Sequence, residues 1–197
     1  MISRREFMQA LARMAPALGG SGLILSEPAL LRAFLDALEG RAFAGERTDE
    51  LIRAAPRARF WSAAAKGHVQ CHLCARGCLL AEGQRGLCRS RLNVGGEMRS
   101  LVYGRPVSVH VDPIEKKPFY HFLPGSQAYS IGTTGCPLRC KFCQNWQTSQ
   151  ASPEDYGVRF TPPGQIVETV RSRKVPVIAY TYNEPLVFTE YLLDIAS

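Results

Sequence analysis

No apolar run in this chain approaches the about 20 residues that a membrane-crossing helix needs, so the sequence predicts no transmembrane helix. Long blocks of like charge are missing as well. The net charge of +7 comes from lysines and arginines scattered along the chain. A scattered surplus reads as a solvated positive surface and not as a nucleic-acid-binding arm. No nucleic-acid partner is therefore expected. An even set of cysteines is also lacking, since there are seven. An odd number in short CxxC spacings speaks against a disulfide framework and for metal ligation. What remains is an ordinary globular composition, 46% apolar and 21% charged over 197 residues. That is enough for one domain of usual size with an appendage.

The cysteines fall into two groups, Cys71, Cys74, Cys78 and Cys88, then Cys136, Cys140 and Cys143. The second group lies on Cys136-Pro-Leu-Arg-Cys140-Lys-Phe-Cys143. Ahead of it, Ala128 to Gly132 alternates like a short strand, and Thr133, Thr134 and Gly135 turn the chain. Three thiolates thus share a compact loop at a strand end. A fourth ligand is absent there. A structural tetrahedral zinc site needs four ligands, and an electron-carrying [4Fe–4S] cluster normally has four cysteines. Three cysteines on a four-iron cube leave one iron open for a substrate or cofactor. This CxxxCxxC spacing, with Phe142 before the last cysteine, resembles the signature of radical S-adenosylmethionine (SAM) enzymes. The resemblance implies that the open iron is chelated by the amino and carboxylate groups of SAM. One electron then passes to the sulfonium, and methionine and a 5′-deoxyadenosyl radical form.

The first group complements this picture. Cys71, Cys74, Cys78 and Cys88, with turns supplied by Gly77, Gly83 and Gly86, complete a four-ligand shell. Such a site holds a structural zinc or a second iron–sulfur cluster that relays electrons; spacing leaves both open. His72 stands between two of these cysteines and reads as a neighbour. Met98 to Val111 alternates around Gly104-Arg105-Pro106 and predicts a β-hairpin that joins this knuckle to the core.

At the N-terminus, Ser3-Arg4-Arg5-Glu6-Phe7-Met8 resembles a twin-arginine (Tat) export signal. A weakly apolar stretch follows from Met14 to Leu25, and Ala42-Phe43-Ala44 is a candidate cleavage site. Export or envelope association is the reading this supports. The alternative is a cytoplasmic protein, because SAM and low-potential electrons are cytoplasmic supplies. Ser26 to Leu38 predicts a packing helix carrying Leu31, Phe34, Leu35 and Leu38. Residues 45–66 predict a linker and a helix broken at Pro56.

Beyond residue 111, Asp112 to Pro118 and Tyr120 to Gly125 predict an ordered loop with turn signals. A helix is expected from Pro162 or Pro163 through Arg171, with Ile166, Val167 and Val170 inward. A strand over Val177 to Tyr182 and a helix over Leu186 to Ile195 follow. The ordered series CxLC, DPIEKKPFYHFLPG, SIGTTGC, CKFCQNW and AYTYNEP, spanning His68 to Ser197, is long and specific. It resembles the radical SAM enzymes of the AmmeMemoRadiSam system, relatives of the pyruvate formate-lyase-activating enzymes.

The resemblance implies an α/β fold, a partial (β/α) barrel with its cluster at the C-terminal edge of the strands. It makes Cys136, Cys140 and Cys143 the cluster ligands and sets Phe142 near the adenine of SAM. Asn183 and Glu184 occupy the place of the superfamily's Gly-Gly-Glu motif, which holds the SAM ammonium. Tyr182 and Asn183 replace both glycines, which shifts the weight onto the Glu184 carboxylate. No catalytic residue beyond the cluster ligands is implied. The implied partners are an electron donor of flavodoxin or ferredoxin type and a protein substrate such as a glycyl-radical enzyme. Gln144-Asn145-Trp146 forms a polar and aromatic wall that contacts cofactor or substrate, or packs. Lys116, Lys117 and His121 are the basic residues to watch near the reaction centre, and the two lysines are expected in a solvated loop. The expected domains are a Tat-like signal and leader helix (1–44), a linker and helix (45–66), a Cys-rich metal knuckle and hairpin (67–111), and the N-terminal part of the radical SAM core (112–197). That core is expected to be truncated after two strand–helix units. A non-catalytic iron–sulfur electron-transfer or metal-binding module is the rival reading.

Overall fold

A computed structural model describes residues 41–197. The Tat-like segment and the leader helix of residues 26–38 lie outside the described residues. Helix α1 (Arg41–Ala54) straddles the boundary expected at residue 44 and contains the candidate cleavage site. It stops short of Pro56, whose ring disfavours helical geometry in the residue before it. Its buried Leu51 packs with Ala55, Leu92 and Leu101. Among the described residues no helix is long and apolar enough to cross a membrane.

Three sheets follow. Strands β1 (Trp61–Ala63), β2 (Val69–Cys71) and β3 (Leu79–Leu80) form a small antiparallel sheet in that order. Strands β4 (Arg91–Val94) and β5 (Glu97–Ser100) form a hairpin in which Val94 faces Glu97. Strands β6 (Ser108–Pro113), β7 (Gln127–Gly132) and β8 (Val177–Tyr180) make a mixed sheet ordered β6-β7-β8. β6 runs antiparallel to β7, and β8 runs parallel to β7.

The hairpin expected over residues 98–111 is a correction. The observed hairpin lies earlier and turns at Gly95 and Gly96, whose φ values of 62° and 77° fit a two-residue turn with both central residues left-handed. The chain then turns again, and β6 pairs with β7 rather than with β5. Leu101 and Val102, at 1% and 0% exposure, explain why. Their side chains are drawn into the interior, so the alternation there reflects a buried turn and not a strand.

The crossover from β7 to β8 carries helices α2 (Trp146–Ser149) and α3 (Pro163–Ser172), and helix α4 (Thr189–Ala196) follows β8. Ile166 and Val170 of α3, Tyr191 and Ile195 of α4, and Tyr129 and Ile131 of β7 share one hydrophobic core. One face of the mixed sheet is thereby covered by helices, an α/β arrangement. His110 and Asp112 alternate on β6 opposite Ser130 and Ala128 of β7. Strand pleating therefore sets them on the face away from Tyr129 and Ile131.

A buried ion pair ties the hairpin to α4. Arg91 Nη2 donates to Glu190 Oε1 at 2.6 Å, with side chains 1% and 5% exposed. The same Glu190 oxygen accepts from the Arg59 backbone N–H at 2.7 Å, and Arg91 Nη1 donates to the Arg59 carbonyl at 2.7 Å.

Candidate metal centre

The three-cysteine loop begins where β7 ends. Thr133 and Thr134 are buried there, and Gly135 has a φ of 83°. A Cβ at residue 135 would collide with the Cys88 carbonyl oxygen and with Ser90 Oγ. Only glycine lets the two backbones approach so closely. Ser90 Oγ also donates to the Thr134 carbonyl at 3.2 Å, and Arg76 Nε donates to the Pro137 carbonyl at 3.3 Å. The knuckle thus holds the start of the loop. Further along, Cys136 is buried, Cys143 half-buried and Cys140 exposed, and none is in a disulfide. Cys143 Sγ lies 3.4 Å from Ser149 Oγ on α2. Phe142 stands in solvent at 92% exposure.

Opposite the loop, the chain leaves β8 through an elbow. Asn183 Nδ2 donates to the Gly135 carbonyl at 2.7 Å and to Thr133 Oγ1 at 3.2 Å. Its Oδ1 is buried without a partner. Asn145, just past the last cysteine, donates from Nδ2 to the Tyr182 carbonyl at 3.1 Å. Glu184 accepts the Leu186 N–H at 3.3 Å and caps the 3-10 turn Pro185–Phe188. Of the residues expected beside SAM, Asn183 therefore touches the cysteine loop directly. Glu184 adjoins Asn183 in the chain, and Phe142 projects away from protein contacts.

The first cysteine group closes a small hairpin. The Cys71 N–H donates to the Cys78 carbonyl at 2.9 Å, and the Gly77 N–H to the Cys74 carbonyl at 3.2 Å. Cys71, Cys74, Cys78 and Cys88 line one cavity together with Arg91, Pro137 and Val187. Burial pushes the Cys71 and Cys88 thiols up, against the pull of backbone N–H groups and of Arg91. His72 turns outward to Ser62 Oγ at 2.8 Å. Among the described residues no three His, Cys, Asp or Glu side chains converge closely enough to clasp a metal ion as they stand. The donor sets themselves are all sulfur and free, four in one cavity and three on one loop. That chemistry suits zinc or iron–sulfur clusters.

Residues 130–197 match the family model described as the Radical SAM superfamily. The likeness to radical SAM proteins is carried by this stretch. The stretch contains the three-cysteine loop and the elbow, whereas the four-cysteine knuckle precedes it. Over 137 residues the chain is 42% identical to "Uncharacterized protein MJ0808" of Methanocaldococcus jannaschii, covering 70% of this chain and 41% of that protein. The chain thus spans less than half the length of this relative. No solved structure matches it. Radical SAM proteins are enzymes that use a [4Fe–4S] cluster and SAM. The free thiols of the loop and the unpartnered Asn183 oxygen beside it fit that pair of groups.

Two features near the elbow were not anticipated from sequence. Lys117, expected in a solvated loop, is only 9% exposed and pairs with Asp112 Oδ2 at 2.9 Å, whereas Lys116 stays 67% exposed. The difference arises because the 3-10 turn Ile114–Lys116 buries Ile114 and folds Lys117 back onto β6. The other feature is the tyrosine at the elbow. Tyr182 has a φ of 72° and donates from its hydroxyl to Asp112 Oδ2 at 3.1 Å. An exchange of glycine for tyrosine within a turn was the available signal.

Proposed function

We propose that the chain carries the cluster end of a radical SAM enzyme. In this reading Cys136, Cys140 and Cys143 ligate a [4Fe–4S] cluster, and Asn183 and Glu184 face the amino acid end of SAM. The carrying observation is the Asn183 side chain, which grips the cysteine loop with its amide N–H2 and leaves its oxygen free. When bound, the cluster and SAM supply reductive cleavage to a 5′-deoxyadenosyl radical. The protein's part is position. Gly135 and Ser90 fix the loop, Asn145 and Asn183 fix the elbow, and the exposed Phe142 ring is available to cover the adenine.

The wider reading rests on kinship. The motif series supports an AmmeMemoRadiSam-type enzyme on a partial barrel, related to activases of glycyl-radical enzymes, with a protein as substrate and a flavodoxin- or ferredoxin-type donor. The four-cysteine cavity supports zinc or a second iron–sulfur cluster in the knuckle. The twin-arginine resemblance supports export or envelope association, with the cytoplasm as the alternative. A non-catalytic electron-transfer module draws support from the same cavity, because its wall includes Pro137 of the cysteine loop.

Anaerobic reconstitution of the full-length protein, followed by SAM and a strong reductant, separates enzyme from module. The enzyme yields 5′-deoxyadenosine, and Cys140→Ala abolishes it. A reconstituted wild type that gives no 5′-deoxyadenosine would leave the module.

A further inference from the structure

We propose that Asp112, Lys117 and Tyr182 form an anchor that holds the 182–184 elbow against the cysteine loop, which makes Tyr182 a positioning residue. What the elbow is positioned to bind is SAM, on the reading above. Tyr182 sits in a left-handed conformation that a glycine would adopt without steric cost, whereas a bulky side chain resists it. Something must hold the tyrosine there, and several contacts do. The phenol donates to Asp112 Oδ2 at 3.1 Å. Lys117 Nζ, itself 2.9 Å from the same carboxylate oxygen, lies 5.1 Å from the centroid of the tyrosine ring, within cation–π reach. The His110 ring packs against it in a T-shaped pair at a centroid distance of 5.8 Å.

The placement of these groups carries the inference further. Asp112 and His110 belong to β6, and the elbow follows β8, so the ring reaches across β7 on the face of the sheet away from Tyr129 and Ile131. β7 is the strand whose end launches the cysteine loop. The elbow is then gripped at its other side by Asn145 on the Tyr182 carbonyl and by Asn183 on Gly135. Its backbone is fixed both to the sheet and to the loop. A glycine at position 182 would be content with the same φ but would have no hold on β6.

The anchor also explains why a charged pair sits on this face. Asp112 is 16% exposed and Lys117 is 9% exposed, so each is largely removed from water. Their mutual contact and the phenol together leave the carboxylate well satisfied, and a charge-assisted hydrogen bond grips more firmly than a neutral one.

The test uses Tyr182→Phe, Tyr182→Gly and Lys117→Arg in the full-length protein, with two measurements. The first, on protein without cluster or SAM, is amide hydrogen exchange of the segment 181–188, with helix α3 as an internal control. Exchange in the segment is expected to rise about tenfold in Tyr182→Phe and Tyr182→Gly, the loss of about one hydrogen bond's worth of protection. It should stay near wild type in Lys117→Arg and stay unchanged in α3. The second, on reconstituted protein, is SAM affinity from the change that SAM makes in the electron paramagnetic resonance of the reduced cluster. Affinity is expected to fall about tenfold in both tyrosine variants, with iron content and turnover at saturating SAM retained. Unchanged exchange in Tyr182→Phe overturns the anchor, as does a parallel rise in α3. Undiminished SAM affinity in Tyr182→Gly overturns the positioning role. A wild type that binds no SAM would fail the functional reading alone, and the exchange measurement would still judge the anchor.

Discussion

At Gly135 a φ of 83° and the adjacent Cys88 carbonyl leave no room for a side chain. Gly135→Ala is expected to cost about 1–3 kcal/mol from the backbone conformation alone, and the collision adds to it. Urea unfolding of the variant measures the loss, and a reduced iron content after reconstitution would accompany it. Asp112 offers a pH test. The Lys117 ammonium beside it, assisted by the Tyr182 hydroxyl, holds its carboxyl well below the usual carboxylate range. A carboxyl with a lower value in the folded state stabilises the fold above its unfolded value of about 3.9. That contribution is lost as pH falls from there toward the folded value. Urea midpoints of the wild type should therefore decline below about pH 4, and Asp112→Asn should remove this part of the decline. The grouping of the cysteines, four along one cavity and three on one loop, was legible from spacing alone, because each group is local in the chain. The anchor was not, because Asp112 and Tyr182 are separated by 70 positions and meet only through strand pairing.

Elements were legible where their periodicity was strong. Helix α3 and strand β7 fall within a residue or so of the bounds their patterns suggest. The hairpin failed because buried turn residues mimic alternation, although Gly95-Gly96 between two short alternating runs was a direct signal for the true turn. The contact between β4 and α4 gives an element-scale prediction. Glu190→Ala leaves the Arg91 guanidinium buried without its carboxylate, and removing one partner of such a pair costs about 3–5 kcal/mol. Thermal unfolding checks this. A Leu or Met pair at the two positions should recover much of the loss, since the Arg91 Nε and one Glu190 oxygen are already buried without partners.

For the whole molecule, the four-cysteine segment and the three-cysteine loop are separate in sequence and joined by hydrogen bonds to the loop's backbone. Cys74→Ala should lower total metal while sparing part of the cluster on the loop, because Cys136, Cys140 and Cys143 are untouched. Metal and sulfide analysis of both Cys74→Ala and Cys140→Ala checks this. The fold class could be read from the motif series and from alternating strand and helix signals. The antiparallel β6, which turns a purely parallel sheet into a mixed one, could not. Nothing local in Ser108 to Pro113 states which neighbour it will choose.

Arg91 and Glu190 are 99 positions apart. A ribosome delivers the guanidinium long before its counterion, so the hairpin emerges with a charge it cannot yet bury. Closure of the Arg91–Glu190 pair therefore waits for helix α4, and any metal loaded earlier would meet a cavity whose Arg91 wall still lacks its counterion.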